Sequence, residues 1–212
     1  PKMLASFVDG SKTMIEMTAL SNGINLPLDK VGMNGPVSEV KDLNKTLIPK
    51  EDGGVLSSTG RVDFAFGPAP GVFSIVKSDS PTVIEEMEYL SMGEGPYYTL
   101  YRPYHLASVE APRSVGMAVI NNESGLQPKT WISEVIGHAK KDLEPGETID
   151  GIGGFSSYGV AYPVADSKGL APLGLLEGGK VTKSIKQGDP IALDSIELPD
   201  NLINELRRKQ KN

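Results

Sequence analysis

The sequence contains no cysteine, which excludes a disulfide framework, a thiolate zinc site and cysteine nucleophilic catalysis. Histidine is scarce, with two residues in the chain, and an isolated histidine is poor evidence for a ligand. Long apolar runs are missing: none approaches the ~18–20 residues of a membrane span, and the first residues lack the basic-then-apolar order of a signal peptide. There is no positive excess either. The net charge is −6 and the pI near 5.0, so no basic field attracts nucleic acid or anionic lipid. The 24 glycines and 16 prolines in 212 residues stay below the ~25–30% that signals disorder. A hydrophobic content of 39% suffices for a packed core, in one large or two small domains. The expectation is a globular, soluble, cytoplasmic protein. Because the chain opens at Pro1, without an initiator methionine and directly on a helical pattern, we expect a fragment of a longer protein.

The most legible stretch is 129–198. Two blocks echo each other there, Asp142-Leu143-Glu144-Pro145-Gly146-Glu147-Thr148-Ile149-Asp150 and Ser184-Ile185-Lys186-Gln187-Gly188-Asp189-Pro190-Ile191-Ala192. Each places a glycine turn before a short β-prone run and so reverses the chain between strands. Between them Gly151-Ile152-Gly153-Gly154-Phe155, Tyr158-Gly159-Val160-Ala161-Tyr162 and the 173–182 run are apolar pieces too short for an amphipathic helix. This spacing resembles the SAF domain, a β-clip module. By itself that module does not name a function.

Upstream, 2–22 has helical periodicity with Leu4, Phe7, Val8, Met14, Ile15 and Ala19 toward a core and Gly23 as the stop. The opposite stripe carries Lys2, Asp9, Lys12 and Glu16, whose spacing predicts alternating charges along one face. Two readings stay open: a solvated helix face with local ion pairs, or an Asp/Lys/Glu set lining a cleft, with the Lys12 ammonium held between the carboxylates. Residues 23–59 read as an irregular excursion with short helical pieces. A strand is expected at 61–66, pairing across a Pro/Gly loop with a second at 72–76. A helix follows, with Ser80 as cap, Pro81 at its first position, Val83, Met87 and Leu90 on one face and Gly93 as terminator. The run from Tyr97 to Leu106 holds four of the seven tyrosines together with Arg102 and His105. It reads either as a strand packing on the sheet or as a set of phenol, guanidinium and imidazole groups for a polar substrate. A short helix is expected at 114–121 behind Pro112, then a linker at 121–128. His138 reads as a structural polar residue on a strand. Asp200 is the expected cap of a last helix with Leu202, Ile203 and Leu206 inside and a solvated basic end.

The run Lys2 to Met17, then Gly32-Met33-Asn34-Gly35-Pro36, Gly71-Val72-Phe73, Tyr101-Arg102-Pro103-Tyr104-His105-Leu106 and a terminal SAF-like module resemble an oxidoreductase family. Its members are homoserine-dehydrogenase-like, carry a C-terminal SAF domain and include the 1-deoxy-D-xylulose 5-phosphate reductoisomerase-like enzymes of isoprenoid biosynthesis. The resemblance implies an NAD(P)H-dependent enzyme built of a Rossmann domain, a catalytic α+β domain and the SAF domain. It also implies that an Asp and a Lys on a helix hold the substrate and relay a proton; the similar positions are Asp9 and Lys12, with Glu16 nearby. No strand, glycine-rich turn and helix N-terminus in this chain matches a dinucleotide cradle, and Gly151 to Phe155 does not fit G-x-G-x-x-G.

The expected fold is α+β: a catalytic domain at 1–122 lacking its N-terminal Rossmann part, a β-clip module at 129–198, and a helix and tail at 199–212. The expected function is the substrate-handling and SAF portion of an oxidoreductase acting on a small hydroxy-carbonyl compound, phosphorylated or not. Asp9, Lys12 and Glu16 are the catalytic candidates, and Lys2, Arg102, Tyr104 and His105 the substrate-binding ones. NAD(P)H belongs to the intact parent enzyme, with none expected on this chain alone, which is expected to be inactive. No metal site is expected, since Asp9 and Glu16 are too sparse a set. The expected partners are a small-molecule substrate and the missing dinucleotide-binding domain, and homo-oligomerisation is compatible with the pattern. The alternative is a non-enzymatic SAF module that binds carbohydrate or a protein.

Overall fold

The computed structural model, which describes residues 1–104 and 106–210, opens with two helices in place of the single one expected over 2–22. These are α1 (Lys2–Val8) and α2 (Ser11–Ile24). Gly10 takes a left-handed conformation, φ 80°, which only glycine adopts at no steric cost; it ends one helix and starts the next. Gly23 does not stop α2, which runs on to a left-handed cap at Asn25. The break also reorients α1, whose Leu4, Phe7 and Val8 are exposed instead of packed in a core.

By its contacts the chain divides into Pro1–Met33 with Pro128–Asn212, and Asn34–Gln127. This differs from the expected division in that the first 33 residues and the 199–212 stretch both group with the 129–198 module. The architecture is mixed α+β, with helices and small antiparallel sheets.

Within Asn34–Gln127, the excursion contains short helical turns. Leu43 and Leu47 of α3 (Leu43–Thr46) and its end are buried with Leu56, and Phe73 and Ile75 pack against them. The expected 61–66 strand does not form. The Asp63 carboxylate instead accepts the backbone N–H groups of Asn34 and Gly35 at 3.0–3.1 Å and the Asn34 side-chain amide at 2.9 Å, while Phe66 bridges Val37. The second strand, β1 (Val72–Lys77), therefore pairs with β2 (Tyr97–Arg102), the tyrosine-rich run, from Val72↔Arg102 to Lys77↔Tyr97. Helix α4 (Pro81–Tyr89) starts at the expected Ser80–Pro81 signal, but its Val83 and Leu90 are exposed, and the chain turns left-handed at Ser91 before reaching Gly93. Helix α5 (Ala107–Gly116) begins at Ala107 rather than 114, contains Pro112 and continues into a wider π-helical turn, Met117–Asn121.

In the other unit, α2 lies on a two-stranded antiparallel sheet, β3 (Ser133–Ala139) and β4 (Ser157–Pro163). The two turn blocks pair with each other. Leu143 and Ile185 exchange both backbone hydrogen bonds at 2.9 Å, and both are buried in a core with Ile149, Leu176, Ile191 and Ile196. A second short pair, β5 (Lys180–Val181) and β6 (Ile196–Glu197), closes the module. The last helix, α6 (Leu202–Lys209), is capped by Asn201, which accepts the Asn204 N–H at 2.9 Å, and not by Asp200. Its inward residue is Asn204, whose amide donates to the Pro199 carbonyl at 2.9 Å. Leu202, Ile203 and Leu206, expected inside, are exposed.

The face of α2 that meets the sheet carries polar residues beside Met14 and Ile15, which pack against the core. The Ser11 hydroxyl accepts the Gly159 N–H at 2.8 Å, and the Ser21 and Ser133 hydroxyls lie 2.6 Å apart. The Asn22 side chain accepts the N–H groups of Ile132 and Ser133 and donates to the Ser133 carbonyl, at 2.9–3.1 Å. Replacing Asn22 with alanine strands these three backbone groups. With each unmet buried group costing ~1–3 kcal/mol and water recovering part of it, a loss of roughly 3 kcal/mol in chemical denaturation is expected.

Candidate active site

The site starts from the helix break. Asp9 follows α1, and one carboxylate oxygen accepts the Ser11 N–H at 2.9 Å, satisfying a donor of the first turn of α2. Its other oxygen lies 2.5 Å from the Lys140 ammonium. The two side chains are only 14% and 21% exposed, so solvent screens the pair weakly. Lys140 follows β3 directly and also donates to the Gly154 carbonyl at 2.6 Å. Burial acts to raise the Asp9 pKa, but the hydrogen bonds from Lys140 and Ser11, with the Lys140 charge, outweigh it and hold the carboxyl below its usual 3.8. Asp9 is therefore a fixed carboxylate with both oxygens engaged.

Two cavities flank this pair. One, about 440 Å³, is lined by Asp9, Ala139, Lys140, Tyr158, Gln187 and Gly188. The other, about 570 Å³, has Asp9 and Lys140 together with Lys2, Ala5, Val8, Gly153, Gly154 and Phe155 among its lining. The glycine-rich run at 151–155 is thus a cavity wall. Asp150 anchors it, accepting the N–H groups of Phe155 at 2.6 Å and Ser156 at 3.1 Å and the Ser156 hydroxyl. Gly153, at φ 74°, passes so near α1 that a Cβ would come within 2.0 Å of the Lys2 carbonyl. The run leads into strand β4, not into a helix. It offers no helix N-terminus for a pyrophosphate, so these residues do not fit a dinucleotide.

The structure disperses the expected charged stripe. Lys12 is half-buried at the second position of α2, its ammonium 4.1 Å from the centroid of the Phe7 ring. It is not clamped between Asp9 and Glu16, because the break at Gly10 turns Asp9 toward Lys140. Glu16 is exposed on α2. Lys2 lines the larger cavity and donates to the Asp150 carbonyl at 2.7 Å. Arg102 and Tyr104 belong to the other unit, where the Arg102 guanidinium pairs with Glu110 of α5 and Tyr104 is exposed. His105 lies outside the described residues. Lys140 escaped the sequence reading because its partner is 131 positions away. Among the described residues, no three His, Asp or Glu side chains gather to hold a metal.

His138 borders the smaller cavity through its neighbours. Its Nδ1–H donates to the Gly188 carbonyl at 2.8 Å, which leaves Nε2 to accept the Tyr162 hydroxyl at 2.9 Å. Burial pushes the imidazole below its ordinary 6.5, partly offset by the Gly188 bond and the Asp189 charge. The folded protein keeps His138 neutral while the unfolded chain takes up a proton. Stability is therefore complete above pH ~6.5 and falls as the pH drops toward the folded-state value, by at most ~1.4 kcal/mol per pH unit. Urea denaturation at pH 7 and 5.5 should show this loss, and His138→Gln should reduce it.

Comparison with known proteins returns one family model. The model for the catalytic domain of oxidoreductase DRL matches residues 1–111, a segment that contains α1, α2, Asp9 and Lys12 and extends through the β1–β2 pair. No curated protein matches the chain. Since the matched segment is just over half of the 212 residues, the chain belongs to the oxidoreductase DRL catalytic-domain family.

Proposed function

We propose that the chain is the substrate-handling portion of an NAD(P)H-dependent oxidoreductase acting on a small hydroxy-carbonyl compound, homoserine-dehydrogenase-like or reductoisomerase-like in its chemistry. The observation that supports this best is the pairing of Asp9, within the family-matched segment, with Lys140 of the β module, set beside two cavities that both residues line. In this reading the nicotinamide sits on a separate dinucleotide-binding domain and residues 129–198 are the SAF-like module. Among the described residues no carboxylate pairs with Lys12, and in this reading its ammonium faces a substrate carbonyl, where it stabilises the developing alkoxide and supplies the proton. Asp9, engaged at both oxygens, sets the position of the α2 N-terminus and hence of Lys12. Glu16, one turn further along α2, is the second carboxylate near the substrate.

Calorimetric titration of the chain with NADPH tests the division of labour. No binding tighter than ~10 μM, about 7 kcal/mol on the affinity scale, is expected. A tighter complex would show that the chain itself holds the cofactor and would overturn this assignment.

A further inference from the structure

A surface helix ordinarily buries its apolar stripe and shows its polar side to water. Helix α6 is docked the other way round, by polar side chains. The buried Asn204 amide donates to the Pro199 carbonyl at 2.9 Å. The Arg207 guanidinium lies 4.4 Å from the centroid of the Trp131 ring and 2.7 Å from the Glu134 carboxylate, which also accepts the Trp131 indole N–H at 3.2 Å. These tethers decide which side of the helix is turned outward, and that side carries Leu202, Ile203 and Leu206, exposed by 67%, 58% and 56%. With 3.6 residues per turn the three fall within an arc of roughly 100°. Leucines exposed singly are ordinary surface, but these form one contiguous apolar stripe that polar contacts hold in water.

The charges around the stripe indicate what covers it. Asp200 precedes the helix and Arg208 stands in its last turn, and the two meet within the chain at 3.1 Å with both side chains largely exposed. So exposed a pair contributes little to stability, and either member can take an outside partner. Laid antiparallel on a second copy of itself, with the crossing at the level of residue 204, α6 sets Leu202 of each copy against Leu206 of the other, and Asp200 of each against Arg208 of the other. Helix dipoles then oppose, in an isologous contact generated by one two-fold axis. A parallel arrangement would set Asp200 against Asp200 and Arg208 against Arg208. An anionic membrane is a poorer match: Arg207, Arg208 and Lys209 each have a carboxylate partner in Glu134, Asp200 and Glu205, which cancels the basic field that such a surface attracts.

We propose that α6 is a self-docking helix through which two copies of the chain associate, antiparallel, by Leu202, Ile203 and Leu206. Covering the stripe on both copies removes roughly 600 Å² from water, about half the lower bound of a standard interface. The association is therefore weak and reversible and responds to protein concentration. It involves neither Asp9 nor Lys12 and stands apart from the catalytic reading.

Sedimentation equilibrium of the full chain, from micromolar to millimolar concentration, tests this. The average mass should rise from monomer toward dimer. Leu206→Glu should hold the chain monomeric with its melting temperature unchanged, because the side chain it replaces is exposed. Asp200→Lys and Arg208→Asp should each weaken the association by at least about tenfold, since each sets like charges against one another. Both substitutions also break the pair within the chain, so the decisive sample is an equimolar mixture of the two variants. Across the two-fold axis that mixture places Lys against Asp and Arg against Asp, and it should associate as the unaltered chain does. A chain that stays monomeric at millimolar concentration overturns the proposal, as does a Leu206→Glu variant that still dimerises or a mixture no more associated than its components. A monomer that instead binds phosphatidylserine vesicles through Leu206 would assign the face to lipid and overturn it equally.

Discussion

Asp9→Ala should lower stability by about 3 kcal/mol, since removing one member of a buried ion pair leaves its partner uncompensated and typically costs 3–5 kcal/mol. The side chains retain 14% and 21% exposure, which moderates that figure. Loss of the acceptor for the Ser11 N–H adds the cost of a missing cap, about 1 kcal/mol. Asp9→Asn separates the two contributions, since its amide oxygen still accepts the Ser11 N–H while the charge is gone. Lys140→Ala should be less damaging in an Asp9→Ala background than alone, because the orphaned charge is already there; a double-mutant cycle in urea reads the coupling. A coupling within error of zero would mean that solvent screens the pair as it does at an open surface.

Parts of this structure were legible in the residues and parts were not, for physical reasons. The turn blocks at 142–149 and 184–191 were readable because a glycine with positive φ followed by a β-prone run is a local signal, and Gly146 and Gly188 both adopt it. That the blocks pair with one another through Leu143 and Ile185 is a long-range fact, which local pattern does not carry. The helical character of 2–24 was readable from period, and Met14 and Ile15 do pack against the core, but the polar part of the buried face was not readable. Ser11, Ser21 and Thr18 point inward, and a hydrophobic periodicity search assigns serine to solvent unless a partner such as the Gly159 N–H is known. Helix α6 repeats the lesson, with Asn204 buried and Leu202 exposed. The 61–66 run alternates as a strand should, yet Asp63 binds the amides of Asn34 and Gly35, and tertiary demand overrides β propensity.

The candidate site divides in the same way. Asp9 was found from a helical stripe and does border both cavities, but the stripe itself is broken by Gly10. Its cation comes from Lys140, on the β module. A helix-face argument, which sees neighbours three and four apart, cannot reach residue 140 from residue 9.

Lys12 is the residue on which the functional account turns. Its ammonium rests over the Phe7 ring, a contact worth only ~0.5–1 kcal/mol at a partly exposed site, so Lys12→Met should leave the melting temperature almost unchanged. A proton donor at a reacting carbonyl contributes 10²–10⁴-fold, about 3–5 kcal/mol of transition-state stabilisation. The most direct measurement is kcat/KM for reduction of a hydroxy-carbonyl substrate by Lys12→Met, in an enzyme that joins this chain to a dinucleotide-binding domain. A fall of at least ~100-fold with an unchanged melting temperature is the predicted result. A fall of less than about tenfold would contradict the account and leave Lys12 as one more cation on a wet helix face.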